Sequence, residues 1–359
     1  MSSCDIAHFP FSDHCALLFS LSIPDVIPPG PGLWKLNISI LQDAEYSKLI
    51  TDFWLNWRCS QNRHPSLSDW WELGKFKIKN LTIKYCFKKA TERRAERALL
   101  SRLADHLKSQ VDLGRLSCLG SYRSTLAELS RFDLQAARGA QVRSRVRWVE
   151  EGERSSAYLF RIEKKRSADR RISTLREGDG SIVSDIAGLC NSISSFYAGL
   201  FSSEHTDAAA CESLLSNICS TSTPEQASLC DGLLSVGECR SALLGMAQRK
   251  EPGSDGLPME FYVKFWDLLG ADLVCVLNSC YRDGCLSLSQ RSGVIFLSFK
   301  KGDRLDIRNW RPISLLSVDY KLASRVIAGR LLKVIYLVVS KDQTCGVPGR
   351  FIGENVAFL

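Results

Sequence analysis

The sequence predicts a helix-dominated α+β protein. Residues 35–175 are mostly helical by pattern, because apolar side chains recur there at spacings of three and four, the period of an amphipathic helix. Residues 1–34 contain short apolar runs that are typical of strands, and residues 249–359 combine helices with a small antiparallel sheet. Helices and strands in these proportions place the chain in the α+β class.

Composition and length limit the kind of protein further. The chain has 359 residues, of which 45% are hydrophobic and 24% are charged. These values exclude whole-chain disorder and suggest two or three domains. The most apolar run, residues 331–339, contains Lys333 and is much shorter than the ~18 residues of a membrane span. We therefore expect no membrane partner.

The N-terminus and the cysteines predict an intracellular protein. No Lys or Arg precedes Lys35, so the chain lacks the positive region with which a secretory signal begins. The 14 cysteines include no CxxC pair, which argues against a zinc knuckle and a disulfide scaffold and indicates reduced thiols. We expect a cytoplasmic and nuclear location.

Positive charge is concentrated in one part of the chain. Residues 75–176 contain 26 Lys and Arg against 11 Asp and Glu, whereas the whole chain has a net charge of only +8. A basic segment between mildly acidic ones is typical of a surface that binds phosphate groups of RNA or DNA. The alternative is a helical face whose charges are simply solvated.

The first half of the chain predicts several helices after one break. Residues 24–32 hold four of the 11 prolines, so we place a boundary there. The predicted helices span residues 40–59, 80–112 and 121–150, with another that starts at Ser68. The two long helices resemble an antiparallel hairpin, because Gly114 and Gly120 bracket the turn between them.

The middle of the chain predicts a small hairpin and two further helices. Gly178, Asp179 and Gly180 mark a turn within residues 175–183. Helices are expected over residues 185–202 and 236–249, separated by a stretch rich in Ser and Thr.

A tight loop and a helix open the last hundred residues. Residues 252–256 read Pro-Gly-Ser-Asp-Gly, a composition that predicts a turn. Pro258 suits the first turn of the helix that follows. Its predicted buried face consists of Phe261, Phe265, Leu268, Leu269 and Leu273.

Two strands joined by a basic turn form the most informative pattern. Residues 294–299 and 309–316 are predicted strands, and the turn between them begins Lys300, Lys301. The hairpin would place both lysines near Arg311 at one end. Lys as a mobile point charge and Arg as a rigid fork suit the binding of a triphosphate. The alternative is an exposed hairpin with solvated charges.

Four motifs follow one another in the last hundred residues. They are Pro-Gly-Ser-Asp-Gly-Leu-Pro-Met-Glu-Phe-Tyr at 252–262, Lys-Lys-Gly-Asp at 300–303, Asn-Trp-Arg-Pro-Ile-Ser-Leu-Leu-Ser-Val-Asp-Tyr-Lys at 309–321, and the segment from Gln343 to Asn355. In this order they resemble the start of the reverse transcriptase domain of non-LTR (LINE-type) retrotransposons. Upstream, residues 148–165 are similar to the segment before the polymerase in these proteins. Residues 32–37 are similar to the stretch that follows their apurinic-type endonuclease.

The resemblance implies a fragment with four parts. Residues 1–34 would be the C-terminal remnant of the endonuclease sandwich, 35–175 a basic helical linker, 176–248 a helical pre-polymerase region, and 249–359 the fingers of a truncated right-hand polymerase. Residues 11–14, Phe-Ser-Asp-His, match the final motif of that endonuclease. The resemblance implies that His14 would act as general base or stabilise the phosphate and that Asp13 would orient His14. The rest of that site would lie before Met1.

The family's polymerase is an RNA-directed DNA polymerase that uses two metal ions held by carboxylates, with Mg²⁺ expected for the intact enzyme. Those carboxylates would lie beyond Leu359, and the sequence contains no Asp-Asp dipeptide. We therefore expect no complete catalytic site and no metal bound by this chain alone. In isolation the chain is expected to have neither polymerase nor nuclease activity.

The resemblance also implies roles for residues near the nucleotide. Lys300 and Arg311, and less directly Lys301, would bind the incoming deoxynucleoside triphosphate of the intact enzyme. The side chains expected near template or nucleotide are Gln343, Gly346, Arg350 and Asn355. Trp310 and Pro312 are interpreted as structural, and an exposed apolar face is expected on the strands.

Two other functions remain open from the sequence. The basic helical segment would bind RNA and DNA through phosphates, without sequence preference and without catalysis. Alternatively, the chain would be a degenerate relic without function. The sequence leaves the oligomeric state undetermined.

Overall fold

The computed structural model describes residues 3–8, 15–20, 32–144, 172–204, 206–217 and 221–340, with residues 343, 344, 347, 349–351 and 353. The chain divides into two compact units. Unit 1 consists of Met1–Gly30, Tyr85–Phe196 and Ser298–Arg311, and unit 2 of Pro31–Lys84, Tyr197–Leu297 and Pro312–Leu359.

Helices dominate the described residues, and the strands pair into small two-stranded sheets, which confirms the predicted α+β class. The helices are α1 Ala44–Arg58, α2 Leu67–Asp112, α3 Leu119–Ser144, α4 Ile186–Leu200, α5 Ala208–Ser216, α6 Pro224–Ser228, α7 Val236–Leu244, α8 Met259–Lys264, α9 Trp266–Asp283, α10 Leu288–Arg291, α11 Val318–Leu331 and α12 Ile335–Val338. The strands are β1 Ser3–His8, β2 Cys15–Ser20, β3 Leu175–Arg176, β4 Ile182–Val183, β5 Val294–Phe299 and β6 Trp310–Leu315. In the described ranges, no helix is long and apolar enough to cross a bilayer.

The three sheets are β1 with β2, β3 with β4, and β5 with β6. The first two are antiparallel, with Ser3 opposite Ser20 and Leu175 opposite Val183. The predicted turn at residues 178–180 joins β3 to β4, and the predicted strands at 294–299 and 309–316 are β5 and β6. Among the apolar side chains of β5 and β6, Ile295 and Ile313 are exposed, as expected from the sequence.

An aromatic cluster forms the centre of unit 2. Asp43 caps α1 by accepting a hydrogen bond from the Glu45 amide at 2.9 Å, which stabilises the start of the predicted helix. Trp54 of α1 is fully buried, and its ring centroid lies 5.3 Å from that of Trp70. The Trp54 indole also donates to Asp272 at 2.8 Å. These contacts join α1 to α2 and α9.

Helix α2 is longer than the sequence predicted. We expected a helix from Ser68 and a separate one over residues 80–112, but the two are one continuous helix of 46 residues. Gly74 does not interrupt it. A Cβ atom there would lie 2.7 Å from the Trp57 indole nitrogen, so the glycine instead allows α1 to pack closely on α2.

The predicted helical hairpin in unit 1 is present. Helix α3 starts two residues earlier than the predicted 121–150, and residues 145–150 lie outside the described ranges. Gly114 adopts a φ of +85° in the turn, a conformation that glycine adopts without strain. Arg97 and Asp133 form an ion pair across the two helices at 3.0 Å.

A buried arginine holds α7 against α11 in unit 2. Arg330 donates to both carboxylate oxygens of Glu238 at 2.9 Å, and its remaining donors reach the carbonyls of residues 231–233. Hydrogen bonds from Arg330 lower the pKa of Glu238 to about 2. Because all the N–H groups of its guanidinium donate hydrogen bonds within the chain, Arg330 has a structural role.

The helices that follow the 252–256 loop match the predicted core with two differences. Phe261, Phe265, Leu269 and Leu273 are buried, whereas Leu268 is only half-buried. Pro258 is the residue before α8 and not part of its first turn. The predicted face is otherwise confirmed.

Candidate functional site

The tip of the β5–β6 hairpin carries the basic residues that the sequence singled out. The Lys300 amide donates to the Asn309 carbonyl at 3.0 Å, and the rings of Phe299 and Trp310 are 5.3 Å apart. These contacts place residue 300 opposite 309 and residue 299 opposite 310. Since side chains alternate between the faces of a strand, Lys300 and Arg311 lie on the face opposite the two aromatic rings.

Lys300 and Arg311 are therefore diagonal neighbours across the pair of strands. Such neighbours are typically ~7–8 Å apart and within reach of long side chains. Both are exposed, as is Lys301 in the adjacent turn. Lys300 and Arg311 thus belong to one end of the hairpin by their register, and Lys301 by its position in the adjacent turn.

The loop that carries Lys301 is held by local hydrogen bonds. The side-chain amide of Asn309 donates to the Asp303 carbonyl at 3.0 Å, and the Trp310 indole donates to the Arg304 carbonyl at 3.0 Å. Trp310 is buried, which confirms its predicted structural role, whereas Pro312 is exposed. Gly302 has a φ of +96°, and a Cβ atom there would lie 2.9 Å from the Asn309 amide nitrogen. Only glycine fits this position without displacing the side chain that closes the loop.

The short β3 strand supports the same loop from within unit 1. The Arg176 amide donates to the Leu305 carbonyl at 2.8 Å, and the Arg176 guanidinium pairs with Asp303 at 3.0 Å. The other loop carboxylate, Asp306, pairs with Arg308 at 2.8 Å, which lowers the pKa of Asp306. The two acids of the loop are thus engaged by other arginines.

This pairing determines the electrostatics of the tip. Within the described ranges, no ion pair involves Lys300, Lys301 or Arg311, because the neighbouring carboxylates bind Arg176 and Arg308. The tip therefore presents three exposed cationic groups that are available to a polyanion.

The other predicted site residues divide into two groups. Gln343 and Arg350 are brought together, because the Arg350 guanidinium donates to the Gln343 carbonyl at 2.8 Å and to the Val339 carbonyl at 3.1 Å. Arg350 thereby satisfies carbonyls that follow α12. Gly346, Asn355, Asp13 and His14 lie outside the described residues.

A buried charge cluster in unit 2 was not anticipated from the sequence. We define it as Lys75, Glu72, Asp255 and Asp319. The Lys75 ammonium lies 2.8 Å from Asp319, 3.1 Å from Glu72 and 3.6 Å from Asp255. Lys75 is 3% exposed, so this residue, counted at the start of the basic segment, does not contribute to a basic surface.

Neutral groups add hydrogen bonds to the buried charge cluster. The Trp71 indole donates to Asp319 at 3.0 Å. Ser289 accepts a hydrogen bond from Lys75 at 2.7 Å, and it donates to Glu72 at 2.7 Å. Such hydrogen bonds offset the cost of burying the charges, except at the Asp255 Oδ2 atom, which has no hydrogen-bond partner among the described residues.

The cluster joins the sequence motifs to one another. Asp255 belongs to the 252–256 loop, and Asp319 lies in the motif that begins at residue 309. Gly253 packs directly on this second segment, because a Cβ atom there would lie 2.4 Å from the Ser317 amide nitrogen. Residues 252–256 and 317–319 are therefore held together by one buried lysine from α2.

Residues 34–36, which are part of a third motif, pack on the same loop. The Leu36 amide donates to the Gly256 carbonyl at 3.0 Å, and Lys35 pairs with Glu251 at 2.9 Å. Gly256 has a φ of +73°, and a Cβ atom there would lie 2.3 Å from the Trp34 ring. The second glycine of the loop is thus required by close contact as well as by conformation.

Burial and charge shift the pKa values in the cluster in different directions. Burial and the charge of Asp319 raise the pKa of Asp255 to about 6, although Lys75 opposes the shift. Burial would also raise the pKa of Asp319, but the charge and hydrogen bond of Lys75 outweigh it and lower that pKa to about 2. Attraction by the three carboxylates likewise outweighs burial for Lys75 and raises its pKa.

The arrangement of the cluster indicates a structural role. The ammonium group of Lys75 occupies the space among the three carboxylates that a cation would otherwise take. In the described residues, no group of His, Cys, Asp and Glu is arranged to hold a metal ion. Asp255 and Asp319, two acidic residues of the sequence motifs, are thus used to hold these segments together.

Comparison with known proteins places the chain among transposon proteins. No family model matches it. The chain is 36% identical over 354 residues to the transposon TX1 uncharacterized 149 kDa protein of Xenopus laevis. This match covers 98% of the chain and 27% of that protein, so the chain spans about a quarter of its relative's length.

Identity at this level over almost the entire chain indicates common descent with a protein encoded by a transposon. The chain belongs to the open reading frame 2 proteins of non-LTR (LINE-type) retrotransposons. This confirms the resemblance found in its motifs.

The pKa values of the cluster predict opposite effects for two substitutions. Asp255 binds its proton more tightly in the folded chain (pKa about 6) than in the unfolded chain (pKa ~3.9). Its ionisation therefore lowers stability as the pH rises from ~4 through ~6. Relative to the wild type, Asp255→Asn should gain stability over this range. Asp319→Asn should lose about 3 kcal/mol at pH 7, because it removes the charge that balances a buried ammonium.

Urea denaturation of both variants and the wild type at pH 4, 5, 6 and 7, followed by tryptophan fluorescence, measures these differences. Comparison with the wild type at each pH cancels the contributions of other carboxylates, including Glu238. If the stability difference for Asp255→Asn were the same at all four pH values, the titration assigned to Asp255 would be wrong.

Proposed function

We propose that this chain is part of a retrotransposon reverse transcriptase and that the β5–β6 hairpin tip binds the triphosphate of the incoming nucleotide. In this proposal residues 249–359 belong to the polymerase fingers, 176–248 precede them, 35–175 form a basic linker, and 1–34 end an endonuclease. The relationship to a transposon protein supports the family, and the geometry of the hairpin tip supports the specific role.

The observation that carries this proposal is the register of the hairpin, which assigns Lys300 and Arg311 to one face. The loop carboxylates that could neutralise them pair with Arg176 and Arg308. The guanidinium group of Arg311 can donate hydrogen bonds to two oxygens of one phosphate, and the mobile ammonium group of Lys300 can pair with a second phosphate.

The described residues do not fit the two metal ions that nucleotide transfer needs. The buried carboxylates nearest to one another, Glu72, Asp255 and Asp319, already surround Lys75. We therefore assign no chemical step to this chain and propose that it binds nucleotide without transferring it. Template-dependent extension of a primer by the purified chain would contradict this.

Substitution at the hairpin tip should weaken triphosphate binding. Arg311→Ala and Lys300→Ala should each raise the Kd for a deoxynucleoside triphosphate about tenfold, which corresponds to ~1.4 kcal/mol. Arg311→Lys should recover only part of the loss, because it keeps the charge but not the bidentate geometry. Isothermal titration calorimetry at low ionic strength measures these constants.

The matched control for charge is Lys333→Ala, which removes one exposed positive charge outside the hairpin. It should change the Kd less than twofold, since it leaves the pairing of Asp303 and Asp306 with Arg176 and Arg308 intact. Equal losses for Lys333→Ala and Arg311→Ala would mean that only net charge matters and that the hairpin face has no specific role.

A second candidate function is non-catalytic binding of RNA by α2 and α3. Residues 85–135 contain ten Lys and Arg against six Asp and Glu. Arg93, Arg94 and Arg102 are exposed on α2. The helical hairpin of α2 and α3 buries few large side chains, among them Leu129. Most of the surface of these two helices is therefore available for phosphate contacts.

RNA binding of this kind should depend steeply on salt. Each phosphate contact contributes about −0.7 to the slope of log K against log salt for a single strand. The triple substitution of Arg93, Arg94 and Arg102 by Ala should therefore make the slope shallower by about 2. Fluorescence anisotropy with an unstructured RNA between 50 and 200 mM salt measures it.

The control for this measurement is a triple substitution elsewhere with the same loss of charge. Lys264, Arg282 and Lys333 are exposed in unit 2, and their replacement by Ala should leave the slope unchanged. A slope that is flat for the wild type would exclude the binding module. Absence of cooperative thermal unfolding would instead favour a degenerate relic.

A further inference from the structure

Helix α2 has a second apolar face that no described residue of unit 2 covers. Its inner face includes Trp71 and Ile78, which are buried. On a different face, Leu73, Phe76 and Ile83 are 38%, 57% and 40% exposed. Spacings of three and seven residues align these three side chains in one stripe along the helix. An exposed apolar stripe of this regularity marks an interaction surface.

Positive charge borders this stripe. Residues 73–84 contain four lysines and no Asp or Glu. Lys75 is buried in the cluster, but Lys77 and Lys84 follow Phe76 and Ile83 directly and are exposed. We call Leu73, Phe76, Lys77, Ile83 and Lys84 the basic stripe. Its occupant must be apolar along one line and negatively charged beside it.

Unit 2 itself contains a surface with the opposite charge. Residues 197–239 include six Asp and Glu and neither Lys nor Arg. Within them, α5 exposes Leu214 and Leu215 to 72% and 65%. Glu212 is exposed one turn before Leu215. We call α5 with these three side chains the acidic helix.

The two surfaces differ in length by less than one helical turn of ~5.4 Å. The basic stripe runs over eleven residue steps from Leu73 to Lys84, or about 16.5 Å at the helical rise of ~1.5 Å per residue. Helix α5 runs over eight steps from Ala208 to Ser216, or about 12 Å at the same rise. Within one chain both remain exposed, so they do not satisfy each other there.

We propose that the basic stripe of one chain binds the acidic helix of a second copy of this chain. Two basic stripes cannot pair, because their lysines would repel each other. A nucleic acid would match the lysines but would leave Leu73 and Ile83 uncovered. In a two-fold symmetric dimer the contact is made twice, since each copy contributes both surfaces. This association is independent of the nucleotide site proposed above.

Complementary charge reversal tests the pairing of the basic stripe with the acidic helix, because mixing the two variants should restore the association that each variant loses. Variant A carries Lys77→Glu and Lys84→Glu, and variant B carries Glu212→Lys. Each variant alone places like charges across both contacts, so its dimer Kd should rise at least tenfold. An equimolar mixture should dimerise again. In the mixed dimer the two introduced glutamates of variant A face the introduced lysine of variant B, and the unchanged basic stripe of variant B faces Glu212 of variant A.

Sedimentation velocity of the full 359-residue chain over 1–200 μM, after nuclease treatment, is the measurement. Circular dichroism verifies that each variant keeps its helix content. The control, Arg282→Glu with Lys333→Glu, reverses two exposed charges outside both surfaces and should dimerise like the wild type. The expected result is dimer for wild type, control and mixture, and monomer for A and B alone.

Three results would overturn the proposal. They are a wild-type chain that stays monomeric throughout the concentration range, dimers that persist in A and B alone, and a failure of the mixture to recover association. Association that disappears when nucleic acid is digested would assign the basic stripe to RNA instead.

Discussion

One buried lysine organises the part of the chain where the sequence motifs meet. Lys75 stands among three carboxylates that come from α2, the 252–256 loop and the start of α11. A buried charge without its partners costs several kcal/mol. Each of these segments is therefore stable in its place only when the others are present. The 252–256 loop, whose sequence alone predicts only a turn, is held in position by these contacts.

The glycines of that loop follow from the same constraint. Bringing Asp255 to Lys75 presses the loop backbone against Ser317 on one side and against Trp34 on the other. A side chain at 253 or 256 would occupy the space that these contacts need. Asp255 and Asp319 of the motifs are thus engaged in holding the loop, whereas the hairpin tip in unit 1 carries exposed cations.

Local features could be predicted from the sequence because their causes are local. The strands β5 and β6, the turn at residues 178–180 and the helix α1 were all predicted within a few residues, since alternation, turn residues and helical spacing are written in adjacent positions. The grouping of Lys300 and Arg311 followed from the same reasoning, because a hairpin brings its two ends together.

Features that depend on distant partners could not be predicted. Lys75 was counted as part of a basic surface, since nothing in its neighbours reveals that Asp255 and Asp319 lie within 4 Å of it. The reason for a glycine at position 74 is the Trp57 ring of another helix, which leaves no room for a side chain there. The engagement of Arg330 by Glu238 likewise joins residues that are far apart in the chain, and no local pattern separates it from a surface arginine.

Hydrogen exchange of Lys75→Met measures the organising role of the buried lysine most directly. Amide protection should fall in residues 253–257 and 317–322, which the cluster joins, and should be unchanged in residues 85–135 of unit 1. Lys84→Met, an exposed substitution on the same helix, should leave all three regions as in the wild type. If Lys75→Met kept full protection in residues 253–257 and 317–322, the motif segments would be held by packing alone and the central role given to Lys75 would be contradicted.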